Sequence, residues 1–263
     1  MTNDAFEAVD WQGHAVHCET CAHREMHAEG LCKLQHACVF DRYALRIDRF
    51  LSWNQHLAKD YIKYPYFEVR AIVAKYVEVF YLSQLVTDAD ETVRWSAALR
   101  LTQRQLLLLR QDPDREVRIR VATRLPVSEL KAMMRDPDYY VRTIVARRLP
   151  VGLLPQMIYD EDREVRTEVA KRIGVDALRA MATDHEVTVR LAAAHRLPAA
   201  QLTLLLDDAD WRVRYEVAQR IDVKQLSGLL ADDDEAVREI VQSRQRLAAP
   251  IFSAQLIQHG ARL

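Results

Sequence analysis

The sequence predicts an all-α solenoid of 24-residue repeats with a small cysteine-ligated module at its amino-terminal end. Two observations lead there. The dipeptide Val-Arg recurs every 24 residues, at 69-70, 93-94, 117-118, 141-142, 165-166, 189-190, 213-214 and 237-238. All four cysteines, Cys18, Cys21, Cys32 and Cys38, precede the first copy. A strict period in this range marks an array in which each unit buries one face against the next. Function is therefore expected on the array's surface or in the appended module.

The elements of one repeat are legible in residues 112–135. Asp112 suits an N-cap and Pro113 the first helical position, while Asp114 and Glu116 suit the positive end of the helix dipole. At 100° per residue Val117, Val121 and Leu125 form one inward stripe, and Ala122 beside it marks a close helix approach. Pro126 stops the helix after about three turns, since a proline beyond the first turn loses a hydrogen bond and clashes with the turn before it. Leu130 and Met133 then restore an i, i+3 pattern in a stretch with room only for a single turn of 3₁₀ or α geometry. No strand-like alternation intervenes.

The same slots recur along the chain. The cap slot holds Asp88, Asp112, Asp136, Asp160, Asp184, Asp208 and Asp232. The close-packing slot holds alanine from Ala74 to Ala218, and the late apolar slot holds leucine from Leu82 to Leu226. Proline follows the helix at Pro126, Pro150 and Pro198; Gly174 takes that place once, which suits a helix C-terminus equally. The end copies depart from the pattern. Tyr64-Pro65-Tyr66 replaces the acids of the first, while Gln242 and Pro250 occupy the alanine and leucine slots of the eighth. The domains expected are a cysteine-rich module over residues 1–40 and a junction or degenerate repeat over 41–63, where Phe50 and Trp53 could fill the joint. Eight repeats over 64–255 and a terminal segment over 256–263 complete the chain.

Two arginine rows run through the array. The first pairs an acid with an arginine four residues on: Asp90/Arg94, Asp114/Arg118, Asp138/Arg142, Asp162/Arg166, Glu186/Arg190, Asp210/Arg214 and Asp234/Arg238. That spacing permits a contact worth about 0.2–0.5 kcal/mol when exposed, and the ladder is read as fixing the register between repeats. The second row, Arg100, Arg124, Arg148, Arg172, Arg196, Arg220 and Arg244, has no constant acid partner. It is the better candidate for a basic surface, against the plainer reading of solvated helix arginines.

Composition bounds the function. Hydrophobic residues are 49% and charged residues 29%, enough apolar surface to order the chain. A formal charge of -1 argues against binding dominated by a phosphate backbone. The first ten residues carry three acids and no apolar run, and no stretch approaches a membrane span. A cytoplasmic location is expected, where clustered thiols stay reduced and read as metal ligands before disulfides.

The cysteines are spaced C-x2-C-x10-C-x5-C. Four thiolates can close a tetrahedral zinc site or hold a four-iron four-sulfur cluster, so ligand count alone leaves both open. Zinc knuckles commonly use two short gaps, and the ferredoxin run ends in Cys-Pro where Cys38 is followed by Val39. His14, His17, His23, His27 and His36 share the segment, so mixed ligation stays open, though outer-shell histidines are the commoner outcome.

The unit D-x-D-x-x-V-R-x-x-V-A-x-R-L-P-x-x-x-L, together with the cysteine-rich segment before it, resembles the leucine-rich repeat variant proteins that carry an amino-terminal four-iron four-sulfur cluster. The resemblance covers nearly the whole chain. It implies a right-handed superhelix of alternating α- and 3₁₀-helices without a sheet, and a cluster held by Cys18, Cys21, Cys32 and Cys38. It implies no biochemical activity.

The function expected is an iron–sulfur protein whose repeat surface binds a protein partner, the cluster serving as structural cap, redox element or sensor. Redox-controlled nucleic-acid binding, electron transfer and a zinc-capped scaffold are the alternatives. No membrane association is expected. An enzyme is not expected, since the chain has no phosphate-cradling glycine loop, H-E-x-x-H helix or G-x-S-x-G turn.

Overall fold

The computed structural model describes residues 7–248. The eighth repeat beyond Ala248, with Pro250 in its leucine slot, and the terminal segment 256–263 lie outside the described residues. Among these residues there is no strand, only isolated bridges between Val9 and Ala15 and between Lys33 and Ala37. The chain packs as two compact units that divide between Val145 and Ala146. No helix among the described residues is long and apolar enough to cross a membrane.

In the first unit the cysteine segment contains a five-residue helix, α1 (Arg24–Ala28). Helix α2 (Ala44–Trp53) and the 3₁₀ segment Gln55–Tyr61 follow, so residues 41–63 already show the α-then-3₁₀ order of a repeat. Phe50 is 1% exposed and fills the joint with the cysteine segment as expected, whereas Trp53 is 47% exposed and meets that segment only at its surface, its ring 5.7 Å from that of His36. Helix α3 (Phe67–Tyr76), with the 3₁₀ segment Val79–Leu85, is the first full copy. The copy at 112–135 runs as a helix over Arg115–Arg124, an α turn over Val127–Leu130 and a 3₁₀ turn over Lys131–Met133. The same order continues in the second unit, for example Trp211–Arg220 followed by Val223–Leu229. Every alanine of the close-packing slot and every leucine of the late slot is fully buried. Each buried leucine contributes about 1.5–3 kcal/mol.

The helix starts differ from the sequence reading. Asp114, not Asp112, is the N-cap, its carboxylate accepting from Glu116 N–H at 2.9 Å and Val117 N–H at 3.0 Å. Asp112 instead closes the turn before the helix, accepting from Asp114 N–H at 2.9 Å. Asp90, Asp138, Asp162, Asp210 and Asp234 cap in the manner of Asp114. Glu186, one methylene longer, makes no such bond. Gly174 has φ −61° and ψ 150°, the extended geometry that the prolines adopt elsewhere, so no left-handed C-cap forms there.

The first arginine row is also wired differently. Arg70, Arg94, Arg118, Arg166, Arg190 and Arg214 each reach 18 residues forward to the aspartate that opens the next repeat, whether or not an acid four residues back is spent on backbone N–H groups. In the first unit the pairs are Arg70–Asp88, Arg94–Asp112 and Arg118–Asp136, at 2.7, 2.8 and 2.9 Å. In the second they are Arg166–Asp184, Arg190–Asp208 and Arg214–Asp232, at 2.8, 2.7 and 2.7 Å. The remaining guanidinium nitrogen donates to two carbonyls of its own repeat's turn; for Arg118 these are Asp112 O at 2.8 Å and Pro113 O at 3.1 Å. The row thus fixes register by joining consecutive repeats, through contacts that a reading confined to one helix does not contain.

The second row is no free basic surface. Arg100 donates to Ala74 O at 2.9 Å and Val77 O at 2.8 Å, at the C-terminal end of the preceding repeat's helix. Arg124 reaches Ala98 O in the same way. In the second unit Arg172, Arg196, Arg220 and Arg244 bond Ala146, Ala170, Ala194 and Ala218 O. A cation at the negative end of a helix dipole satisfies carbonyls that the helix leaves without partners.

Stability should follow the aspartates as pH falls. Hydrogen bonding to Arg214 holds Asp232 below its usual value of 3.8. Asp88 and Asp184 are raised by burial but lowered further by Arg70 and Arg166 and by backbone N–H groups, for a net depression. A depressed carboxylate stabilises the fold at all pH above its unfolded value, and the contribution is lost as pH falls through the folded value. Thermal melts are therefore expected to be flat from about pH 7 to 5 and to drop below about pH 4.

Candidate metal centre

The module assembles its four cysteines from short-range turns. Cys21 N–H donates to Cys18 O at 3.3 Å, and Arg24 N–H to Cys21 O at 3.1 Å, leading into α1. Past α1, Gly30 takes a φ of +75° and the chain reverses, with Leu31 N–H on Met26 O at 2.9 Å, to bring Cys32 back. Between Cys32 and Cys38 the Lys33–Ala37 bridge closes a loop with Gln35 at a φ of 59°. Helix α2 anchors both later cysteines. The Asn54 amide, 1% exposed, donates to Leu31 O at 2.8 Å and Phe50 O at 2.9 Å, and Cys38 N–H donates to Arg46 O at 3.1 Å. Asp41 and Arg46 form a buried ion pair at 2.8 Å just beyond Cys38.

Gly30→Ala tests this reversal. A Cβ there would meet nothing within 4 Å, so the cost is backbone strain alone, about 1–2 kcal/mol. The variant is expected to release iron to a chelator several-fold faster than the parent, followed by the bleaching of visible absorption.

All four cysteines line one small cavity of about 10 Å³, whose other walls include Val16, His23, His27, Leu34, Phe40 and Phe50. None is in a disulfide; Cys38 is buried and the other three are half-buried. Burial raises the Cys18 and Cys32 thiols, and neighbouring cysteines raise both further. Burial pushes Cys38 up to about 12 against the pull of the Phe40 N–H, with Asp41 and Cys21 adding to the rise. Cys18, Cys32 and Cys38, thiols that resist ionisation, are donors that a cationic metal group compensates, because metal binding drives thiol deprotonation. Backbone N–H groups already point at sulfur, as from His23 to Cys21 Sγ at 3.3 Å, an arrangement that stabilises thiolate and tunes a bound cluster. A wider groove bordered by His17, Glu19, Arg24 and His27 opens outside Cys18.

Four cysteine thiols on one cavity are a donor set that fits a four-iron four-sulfur cluster, one sulfur to each iron, and equally a tetrahedral zinc ion.

His23 and His27 also line the cavity, each with a ring nitrogen hydrogen-bonded elsewhere. His23 Nε2 hydrogen-bonds the Tyr61 hydroxyl, and its ring stacks on Phe40 at 5.5 Å and lies against Phe50 at 5.3 Å. Burial holds its pKa below the usual value. His27 Nδ1 lies 3.3 Å from Cys32 O, His36 pairs with Arg49 at 3.2 Å, and His14 pairs with Asp10 at 3.3 Å. Asn54 and Tyr61, which fasten the module to the helices after it, carry no spacing signal. They lie more than fifteen residues beyond the last cysteine and act through tertiary contacts.

Comparison with known proteins agrees with this geometry. Residues 8–60 match a family model described as the FeS4 cluster of LRV proteins, and residues 139–162 match the leucine rich repeat variant model. A solved structure described as a leucine-rich repeat variant with a novel repetitive protein structural motif superposes with a TM-score of 0.83 at 41% identity, over 87% of this chain and 98% of that one. An uncharacterized 27.7 kDa protein in the nifB 3' region of Rhodobacter capsulatus is 43% identical over 95 residues, 36% of this chain. That alignment spans 39% of the Rhodobacter protein.

Proposed function

We propose, on the premise that this chain belongs to the leucine-rich repeat variant family and carries that family's four-iron four-sulfur cluster, that it is a non-catalytic cytoplasmic scaffold whose repeat surface binds a protein partner. Cys18, Cys21, Cys32 and Cys38 are the ligands this reading assigns, and a bound cluster would supply one-electron chemistry. The chain's own residues exclude water on the Cys38 side, direct N–H groups at sulfur, and tie the module to the array through His23 and Tyr61.

The observation that carries the reading is the use of the arginines. In both units they are spent between repeats, on aspartates 18 residues ahead and on carbonyls 23 or 26 residues behind. An arginine stripe for nucleic-acid phosphates is thereby lost, and ordinary surface side chains remain to meet a partner. Unpaired thiols suit a reducing compartment.

Two measurements test the reading. Iron, acid-labile sulfide and zinc assayed on anaerobically purified protein are expected at about four, four and zero per chain, with broad visible absorption. One zinc without sulfide would overturn the cluster. Affinity capture at about 50 and 300 mM salt is expected to retain a protein partner at both; retention of nucleic acid alone, lost at the higher salt, would overturn the protein-binding role.

A further inference from the structure

The 3₁₀ segments of the first unit differ from those of the second. Stretches 79–87, 103–111 and 127–135 hold four cations, Arg104, Arg110, Lys131 and Arg135, against one acid, Glu129. The corresponding stretches 151–159, 175–183, 199–207 and 223–231 hold two cations and two acids. Arg110 approaches Glu129 at 4.0 Å, whereas Arg104, Lys131 and Arg135 are exposed and have no ion pair among the described residues.

The same edge exposes apolar side chains that the core does not use. Phe80 is 78% exposed and Leu108 70%, with Val79 and Val127 also exposed. Phe80 and Arg104 occupy the same slot of successive repeats, Val79 and Val127 share another, and Leu108 is one turn on from Arg104. A groove between the turns at Asp112–Pro113 and Asp136–Pro137 borders Arg110 and Arg135. Large apolar side chains set among unpaired cations suit a partner with an apolar ridge and an acidic rim. A phosphodiester backbone would use the cations and leave Phe80 and Leu108 without a role.

We propose that this edge, from Phe80 to Arg135, docks an acidic amphipathic segment of a partner protein. The proposal rests on the protein-binding reading above and assigns it a face and a chemistry. Three stacked repeats at about 8–10 Å spacing present roughly 20–30 Å, matched by about 20 residues of helix.

The test uses the full, cluster-loaded chain and a fluorescent synthetic helix of about 20 residues with leucine at i and i+4 and glutamate elsewhere. Anisotropy is expected to show saturable binding that weakens as salt is raised. The triple variant R104E/K131E/R135E should bind at least about tenfold more weakly, and F80S or L108S at least about fivefold. K224E, at the slot of Arg104 but in the second unit, should bind as the parent does. Far-UV circular dichroism checks that each variant is folded. No saturable binding, or binding indifferent to the triple reversal, would overturn the proposal. So would a single-stranded DNA of about 20 nucleotides that binds more tightly than the peptide, whether or not its bases stack on Phe80. A protein partner captured by the parent and equally by R104E/K131E/R135E would sink this face while leaving the scaffold role standing.

Discussion

Cys32→Ala is expected to yield a protein with little iron or sulfide and no visible cluster absorption, yet with about 80% or more of the parent's helical ellipticity. Cys32 stands alone between the Gly30 reversal and the Lys33–Ala37 loop, so no neighbouring cysteine can replace it. The helices beyond are stabilised by their own neighbours. Val69, Val93 and Val117 are fully buried within the array, and the arginine links join each repeat to the next without touching the module. Some loosening should reach α2 and α3, because Tyr61 bonds His23 and Asn54 bonds Leu31. Iron analysis and circular dichroism on the same preparation decide the matter. A full complement of iron would remove Cys32 from the ligand set, and collapse of the helical signal would show that the module and the repeats fold as one.

Asp136→Ala is expected to be among the most destabilising single changes in the first unit, about 3–5 kcal/mol by urea unfolding. Its carboxylate lies 2.9 Å from Arg118, with the two side chains 5% and 10% exposed, and it also accepts the Asp138 N–H at 2.9 Å in the turn that starts the next helix. Removing it leaves a buried guanidinium with only carbonyl partners and a turn without its cap. The double variant Arg118→Met with Asp136→Leu should lose less than Asp136→Ala alone, because no orphan charge is left buried. Lys171→Ala, which breaks an exposed pair with Glu168, should cost under about 1 kcal/mol. Equal losses in Asp136→Ala and Lys171→Ala would deny the inter-repeat link a structural role.

The period of 24, the buried alanine and leucine slots, the helix stopped at Pro126, the absence of strands among the described residues and the grouping of the cysteines were all legible in the chain itself. They follow from local rules: side-chain periodicity, proline geometry and the short reach of a metal loop. Asp112 and Asp114 could not be told apart in this way, since Asp-Pro-Asp offers two capping carboxylates. Which one caps depends on where Arg94 of the preceding repeat draws Asp112. The partner of Arg118 was equally hidden, for an i+4 acid is the nearer candidate in sequence while the acid at i+18 becomes the nearer one in space only when repeats stack. Cys38 beside α2 and His23 on Tyr61 belong to the same class. Sequence spacing determines which groups one helix or loop can bring together; contacts between repeats depend on the offset at which they stack, and tertiary packing alone decides that offset.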